Sequence, residues 1–155
     1  MENTHTYTLT TAWTGNTGSG TTNYRSYNRS VTVSAQNKVD ILCTSDTPIN
    51  SDPTKHNPEE LLIASISSCH MLWYLHLCSE AGVVVIEYKD HATATMVESR
   101  GGGGKFREAI LHPVVIVKEE SMIDKAMDLH VRANELCYIA NSCNFSILHK
   151  AKVMC

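Results

Sequence analysis

Six thiols are the groups in this chain best suited to covalent chemistry: Cys43, Cys69, Cys78, Cys137, Cys143 and Cys155. No CxxC pair occurs among them. The opening residues, MENTHTYTLTTAW, carry no basic stretch followed by an apolar run, so an export signal is not expected and the expected compartment is the cytoplasm. Thiols stay mostly reduced there, and each is then either apolar filler or a reactive group. Two are placed where they could react. Cys69 lies midway along a long apolar segment, and Cys137 lies at the far end of a second, amphipathic one. Two apolar helices in a small domain pack on each other, which could bring these sulfurs together; a disulfide needs Cα atoms about 4.4–6.8 Å apart. Such a pair suits peroxide reduction, in which a thiolate becomes a sulfenic acid and a second thiol condenses with it. Composition alone favours core filler for both.

A metal is the other chemistry to weigh. Cys69, His70, His76 and Cys78 share one segment, but His70 and His76 are six residues apart and fall on different faces of a helix. Zinc sites favour closer spacings, so no metal is expected.

The elements that must position the thiols follow from periodicity and punctuation. Asn57, Pro58 and Glu60 make a helix start, with Asn57 as N-cap, and Gly82 supplies the stop, so a helix is expected from Pro58 to about Ala81. It is apolar nearly all round, which predicts a central helix covered on several sides. Its charge-free run, residues 61–79, approaches a membrane span in length, but its serines and histidines are costly in lipid; a helix buried in protein is expected. A second helix is expected after Ser121 as cap with Asp124 in the capping box, with Met122, Ala126, Leu129, Ala133, Leu136 and Ala140 on its apolar face. Cys69 stands twelve residues beyond Asn57, where the helix dipole no longer helps it ionise, so a nearby cation is required.

Strands are expected over residues 5–13, 30–35, 39–44, 83–97, 105–118 and 146–153, with a hairpin turn at Gln36-Asn37. Residues 15–20 and 46–55 read as loops, and the glycine run 101–104 as a hairpin connection rather than a phosphate cradle, since no helix follows it. The order predicts a single α+β domain over 1–155, not a doubly wound one. Charged residues are 19% of the chain, the net charge is −3 and no Lys/Arg cluster occurs, which argues against nucleic acid or a membrane surface as partner.

The run His56-Asn57-Pro58-Glu59-Glu60-Leu61-Leu62, followed by Ser68-Cys69-His70, resembles the signature helix of OsmC/Ohr proteins. Downstream, Leu129-His130, Ala133 and Leu136-Cys137-Tyr138-Ile139-Ala140-Asn141-Ser142 resemble the second-cysteine segment of an OsmC-like branch. Trp13-Thr14-Gly15-Asn16 and Gly18-Ser19-Gly20-Thr21 fit it too. The resemblance implies an intertwined homodimer with central helices wrapped by antiparallel β-sheets. It also implies reduction of organic hydroperoxides without a bound cofactor. Cys69 would attack the peroxide, Cys137 would close a disulfide, and an external dithiol such as a lipoyl protein would reopen it.

The family's carboxylate matches Glu59. Glu59 and Cys69 are ten residues apart on one helix, about 15 Å along its axis, so they share a pocket only across a dimer interface. Equally, Glu59 is a charge that suits a helix N-terminus. The family's arginine has no counterpart in residues 48–52 or 14–22, which leaves Arg25, Arg29 or Lys55, with Arg25 preferred for its place beside the glycine-rich loop. Asn134 stands where the branch suggests histidine. Leu72, Trp73, Tyr138 and Ile139 flank the cysteines and could form an apolar mouth for the substrate; singly, each reads as core packing. The alternative to an enzyme is a non-catalytic OsmC-like dimer that binds a small apolar ligand or senses redox state.

Overall fold

The computed structural model describes residues 3–155. They form an α+β fold in two compact units, one ending at Leu61 and the other comprising Leu62–Cys155.

In the first unit, β1 (Thr10–Trp13), β2 (Val31–Ser34) and β3 (Ile41–Cys43) form an antiparallel sheet in sequence order. The expected strand over 5–13 is shorter than its alternation suggested, because Tyr7 and Leu9 are exposed and no strand partner reaches them. The hairpin between β2 and β3 turns where expected, with Asn37 at φ 61° and the Lys38 N–H bonded to the Ala35 carbonyl at 3.1 Å. Asn37 tolerates this left-handed conformation, as Asn commonly does. The loop after β1 is tied by Asn16, whose Oδ1 accepts from the N–H groups of Gly18 (2.9 Å) and Gly20 (3.1 Å).

Helix α1 (Pro58–Glu80) starts on a reciprocal capping box. The Glu60 N–H donates to Asn57 Oδ1 at 2.8 Å, and the Asn57 N–H donates to Glu60 Oε2 at 3.2 Å. It ends at Gly82, φ 72°, with the Val83 N–H reaching back to the Cys78 carbonyl at 2.8 Å. Only one stripe of α1 is fully buried, Ile66, His70, Tyr74 and Cys78. This corrects the expectation of a helix covered on several sides: within one chain a single face is packed, and Leu72 is 66% exposed. The helix is long and apolar enough to cross a membrane by length and composition. Tyr74 and Cys78 of its buried stripe pack into the core of the second unit.

The second unit is built on one long hairpin that bends in the middle. The expected strands over 83–97 and 105–118 each split, into β4 (Val85–Asp90) and β5 (Thr93–Glu98), and into β6 (Gly104–Leu111) and β7 (Pro113–Val117). β5 pairs β6 and β4 pairs β7, both antiparallel. The bend has an identifiable cause. Pro113 has no N–H for the ladder, and the neighbouring His112 N–H is taken by Asp90 Oδ1 at 2.7 Å. The C-terminal strand divides at the same level. β8 (Ser146–His149) runs parallel to β6, and β9 (Lys152–Met154) runs parallel to β7. Two three-stranded sheets result, β4-β7-β9 and β5-β6-β8.

Helix α2 (Ile123–Leu136) is preceded by a 3-10 turn, Glu120–Met122, that contains Ser121. Ser121 therefore caps nothing, contrary to expectation, and Met122 occupies the N-cap without a side-chain bond. Ala126, His130 and Ala133 are its buried residues. The chain leaves the helix at Cys137 (φ −67°, ψ 106°) and forms one further turn, α3 (Tyr138–Asn141), so Ala140 does not extend the α2 face. Tyr74, Cys78, Val83, Val115, Val117, Ala126 and Ala133 make the core. Its burial is the main stabilising term of this unit.

Candidate functional site

Helices α1 and α2 meet along an antiparallel seam in the second unit. Cys137 Sγ lies 4.0 Å from the Ile66 carbonyl, His70 meets His130, Tyr74 stacks on His130 with ring centroids 3.9 Å apart, and the Lys125 ammonium bonds the Ala81 carbonyl at 2.7 Å. Ascending numbers on one helix thus pair with descending numbers on the other.

This seam brings Cys69 and Cys137 together. Cys137 is fully buried, Cys69 is half-buried, and neither is in a disulfide. The Cys137 thiol is pushed up to about 11, first by burial and next by its hydrogen-bonding contact with Cys69; the Ala140 N–H, 3.4 Å from Sγ, pulls the other way. Cys137 is therefore a protonated thiol near neutral pH, positioned against its partner sulfur. The remaining cysteines differ. Cys43 and Cys78 are buried, with Cys78 held protonated by burial, and Cys155 is exposed with its thiol on the Lys118 carbonyl at 3.5 Å.

Next along the seam is a second polar contact. His70 Nε2 and His130 Nδ1 are 3.0 Å apart, with the two rings nearly coplanar at 3°. Both residues are almost completely buried, 0% and 1% exposed. Burial lowers His70 to about 4, helped by nearby His149 and opposed by Asp90. Burial likewise lowers His130 to about 3, with His70 and His149 acting in the same direction. Both are neutral near pH 7, so one imidazole N–H donates to the other ring. The sequence reading weighed His70 against a metal site and did not pair it with His130. The signal was present, since His70 lies on the i, i+4 stripe with Ile66 and Tyr74, and His130 lies four residues after Ala126.

The remaining expected site residues fall as follows. Leu72 and Tyr138 are well exposed, and Trp73 packs edge-on against Tyr138 at 5.5 Å and against His76 at 5.7 Å. Leu72, Trp73 and His76 line an open hollow of about 280 Å³. Ile139 is half-buried beside Cys137, and its N–H also favours the ionised sulfur. In the first unit, Glu59 occupies the first turn of α1, and its Oε2 is shielded from solvent without a hydrogen-bond partner among the described residues. Two of the candidate cations are already engaged. Arg29 donates to the carbonyls of Tyr27 (2.9 Å) and Tyr24 (2.8 Å) and stacks on both rings, and Lys55 pairs with Asp52 at 3.1 Å. Arg25 is exposed, with its backbone N–H on Asn23 Oδ1 and its carbonyl on Asn50 Nδ2. Among the described residues, no group of three or more His, Cys, Asp or Glu side chains is arranged to hold a metal.

Residues 51–151 match the family model described as OsmC-like protein, and the chain belongs to that family. No curated protein sequence matches the chain. Solved structures do. An OsmC-like protein of unknown function from Vibrio cholerae is 24% identical, with 96% of this chain and 100% of that one covered and a TM-score of 0.87. An organic hydroperoxide resistance protein from Elizabethkingia anophelis is 19% identical, with 99% of each chain covered and a TM-score of 0.70. The organic hydroperoxide resistance protein OhrB of Bacillus subtilis is 18% identical, with 96% and 98% covered and a TM-score of 0.61. At these identities the likeness establishes the fold.

Proposed function

We propose that this protein is a thiol-dependent peroxidase that reduces organic hydroperoxides to alcohols, acting in the cytoplasm as a homodimer. The observation that carries the reading is the contact between Cys69 and Cys137, with Cys137 held as the protonated member. In the first step the Cys69 thiolate attacks the terminal peroxide oxygen. The O–O bond breaks, Cys69 becomes a sulfenic acid, and the leaving alkoxide takes a proton to give the alcohol. In the second, the Cys137 sulfur attacks Cys69, a disulfide forms, and water leaves. An external dithiol, such as a lipoyl protein, then reduces the disulfide by exchange and ends oxidised itself. No bound cofactor is needed.

Arg25 is the proposed activating cation, because Arg29 and Lys55 are already bound to neighbours. Glu59 is proposed to orient it. α1 is unbroken, so Glu59 and Cys69 of one chain are separated by about 15 Å of helix axis, and Glu59 must come from a second copy. The unpartnered Glu59 Oε2 and the uncovered apolar girth of α1 support such a dimer. Leu72, Trp73, Tyr138 and Ile139 would provide an apolar mouth that favours alkyl over hydrogen peroxide.

One equivalent of cumene hydroperoxide should yield a Cys69–Cys137 disulfide by peptide mass spectrometry, and the Cys137→Ser variant should accumulate oxidised Cys69 instead. Modification of Cys69 no faster than that of exposed Cys155 would end this reading. A non-catalytic dimer that binds an apolar ligand or senses redox state is the second reading, favoured by the engagement of Arg29 and by the open hollow at Leu72 and Trp73. It expects no peroxide consumption with dihydrolipoamide above that of free cysteine.

A further inference from the structure

The thiol contact lies at the end of α2, where the chain turns out of the helix at Cys137. The bonds Cys137 makes there are weak ones, to the Ile66 carbonyl at 4.0 Å and from the Ala140 N–H at 3.4 Å. The thiol is a weak hydrogen-bond donor and acceptor, and the flanking backbone has already left helical geometry. The position of Cys137 relative to Cys69 must be fixed by something deeper in the seam. The neighbouring polar contact is the His70–His130 pair, which joins the same two helices. His70 follows Cys69 directly on α1, and His130 is two helical turns before Cys137 on the same side of α2.

We propose that His70 and His130 are positioning residues that set the spacing of α1 and α2 and thereby hold Cys69 and Cys137 at disulfide-forming distance; this rests on the two-cysteine reading above. Two features of the pair suit it to this task. The bond is directional and the rings nearly coplanar, so it fixes separation and rotation together, which apolar packing does not. Both rings are buried and neutral, so water does not compete for the shared proton. Tyr74 stacked on His130 holds that ring in orientation.

Disulfide formation depends steeply on this spacing. A displacement of about 1 Å in a reacting pair can cost on the order of a hundredfold in effective concentration. The test is equilibration of the full-length protein with reduced and oxidised glutathione. There, Cys69 and Cys137 give up two electrons and two protons to one disulfide of glutathione, which leaves as two thiols. The ratio at half-oxidation gives the effective concentration of the protein thiols, and the melting temperature is measured alongside.

His130→Ala should lower that effective concentration roughly ten- to a hundredfold. The paired change His70→Leu with His130→Leu removes both polar partners, so its melting temperature should stay near that of the unaltered protein while its effective concentration still falls. It carries the test if the alanine variant does not fold. His130→Asn keeps a polar atom near the Nδ1 position and should recover most of the loss. A dileucine variant that folds and keeps the original effective concentration overturns the positioning role and leaves the peroxidase reading intact. An unaltered protein that forms no Cys69–Cys137 disulfide in this buffer overturns both.

Discussion

The sheet of the first unit and the two sheets of the second are held by different forces. In β1–β3 every residue is exposed or half-buried except Cys43. Order there comes from the strand ladder and from polar locks such as Arg29 on Tyr24 and Tyr27, and Asn50 on the carbonyls of Arg25 and Tyr27. From Ala109 in β6 through β7 the burial alternates cleanly, with Ala109, Leu111, Pro113, Val115 and Val117 turned inward. A sheet with one dry face is stabilised mainly by area removed from water, while a sheet without one depends on individual contacts of small net value.

Substitutions should separate the two regimes. Leu111→Ala in the second unit should lower the unfolding free energy by about 2–5 kcal/mol, read from urea denaturation, because it empties a fully buried site. An effect below about 1 kcal/mol would mean that the core is loosely packed.

Acid should come next in size, through the buried histidines of the second unit. His70 and His130 titrate below the ordinary histidine value in the folded protein, so the unfolded chain binds protons first as pH falls. Stability should be flat with respect to these groups above about pH 6.5 and should decline from there towards pH 4, with His70 contributing up to about 3 kcal/mol in all. Asp90, His149, Tyr74 and Tyr88 are the titratable groups around the pair. Urea midpoints across this range should lose most of their pH dependence in the dileucine variant, with His149, also lowered by burial, supplying the remainder.

Gly15→Ala should cost the first unit about 1–3 kcal/mol, because an added Cβ would meet the Asn28 carbonyl oxygen at 1.9 Å and force the β1 exit apart. Hydrogen exchange at the Thr14 and Asn28 amides, which bond across this junction, should accelerate. The smallest effect belongs to Leu42→Ala on β3, expected at about 0.5 kcal/mol or less because Leu42 is 54% exposed. A loss comparable to that of Leu111→Ala would place Leu42 in an interface with another chain.

What could be read from the sequence was local. The Asn57 and Glu60 capping box, the Gly82 stop and the Asn37 turn each involve a few consecutive residues, and each forms as expected. The two long strands split because the cause of the split is not local: Asp90 must reach the His112 N–H, 22 residues away, before the corner exists. Ser121 has the chemistry of a cap, but a 3-10 turn begins one residue earlier and absorbs it. At the site, the nearness of Cys69 and Cys137 was only a possibility until α1 and α2 were known to be antiparallel. The histidine pair was hidden for the same reason, since stripes within a helix are visible in sequence and the register between helices is not.

The corner carboxylate has one more consequence. Asp90 holds the His112 amide with one oxygen and receives the Ser67 hydroxyl with the other, at 2.5 Å. Ser67 lies two residues before Cys69. The height of the turn that carries Cys69 above the sheets is thus anchored by a rivet of three polar groups rather than by grease. Lengthening the hairpin at its glycine tip leaves that anchor untouched, whereas inserting a residue at the bend drags the sulfur with it.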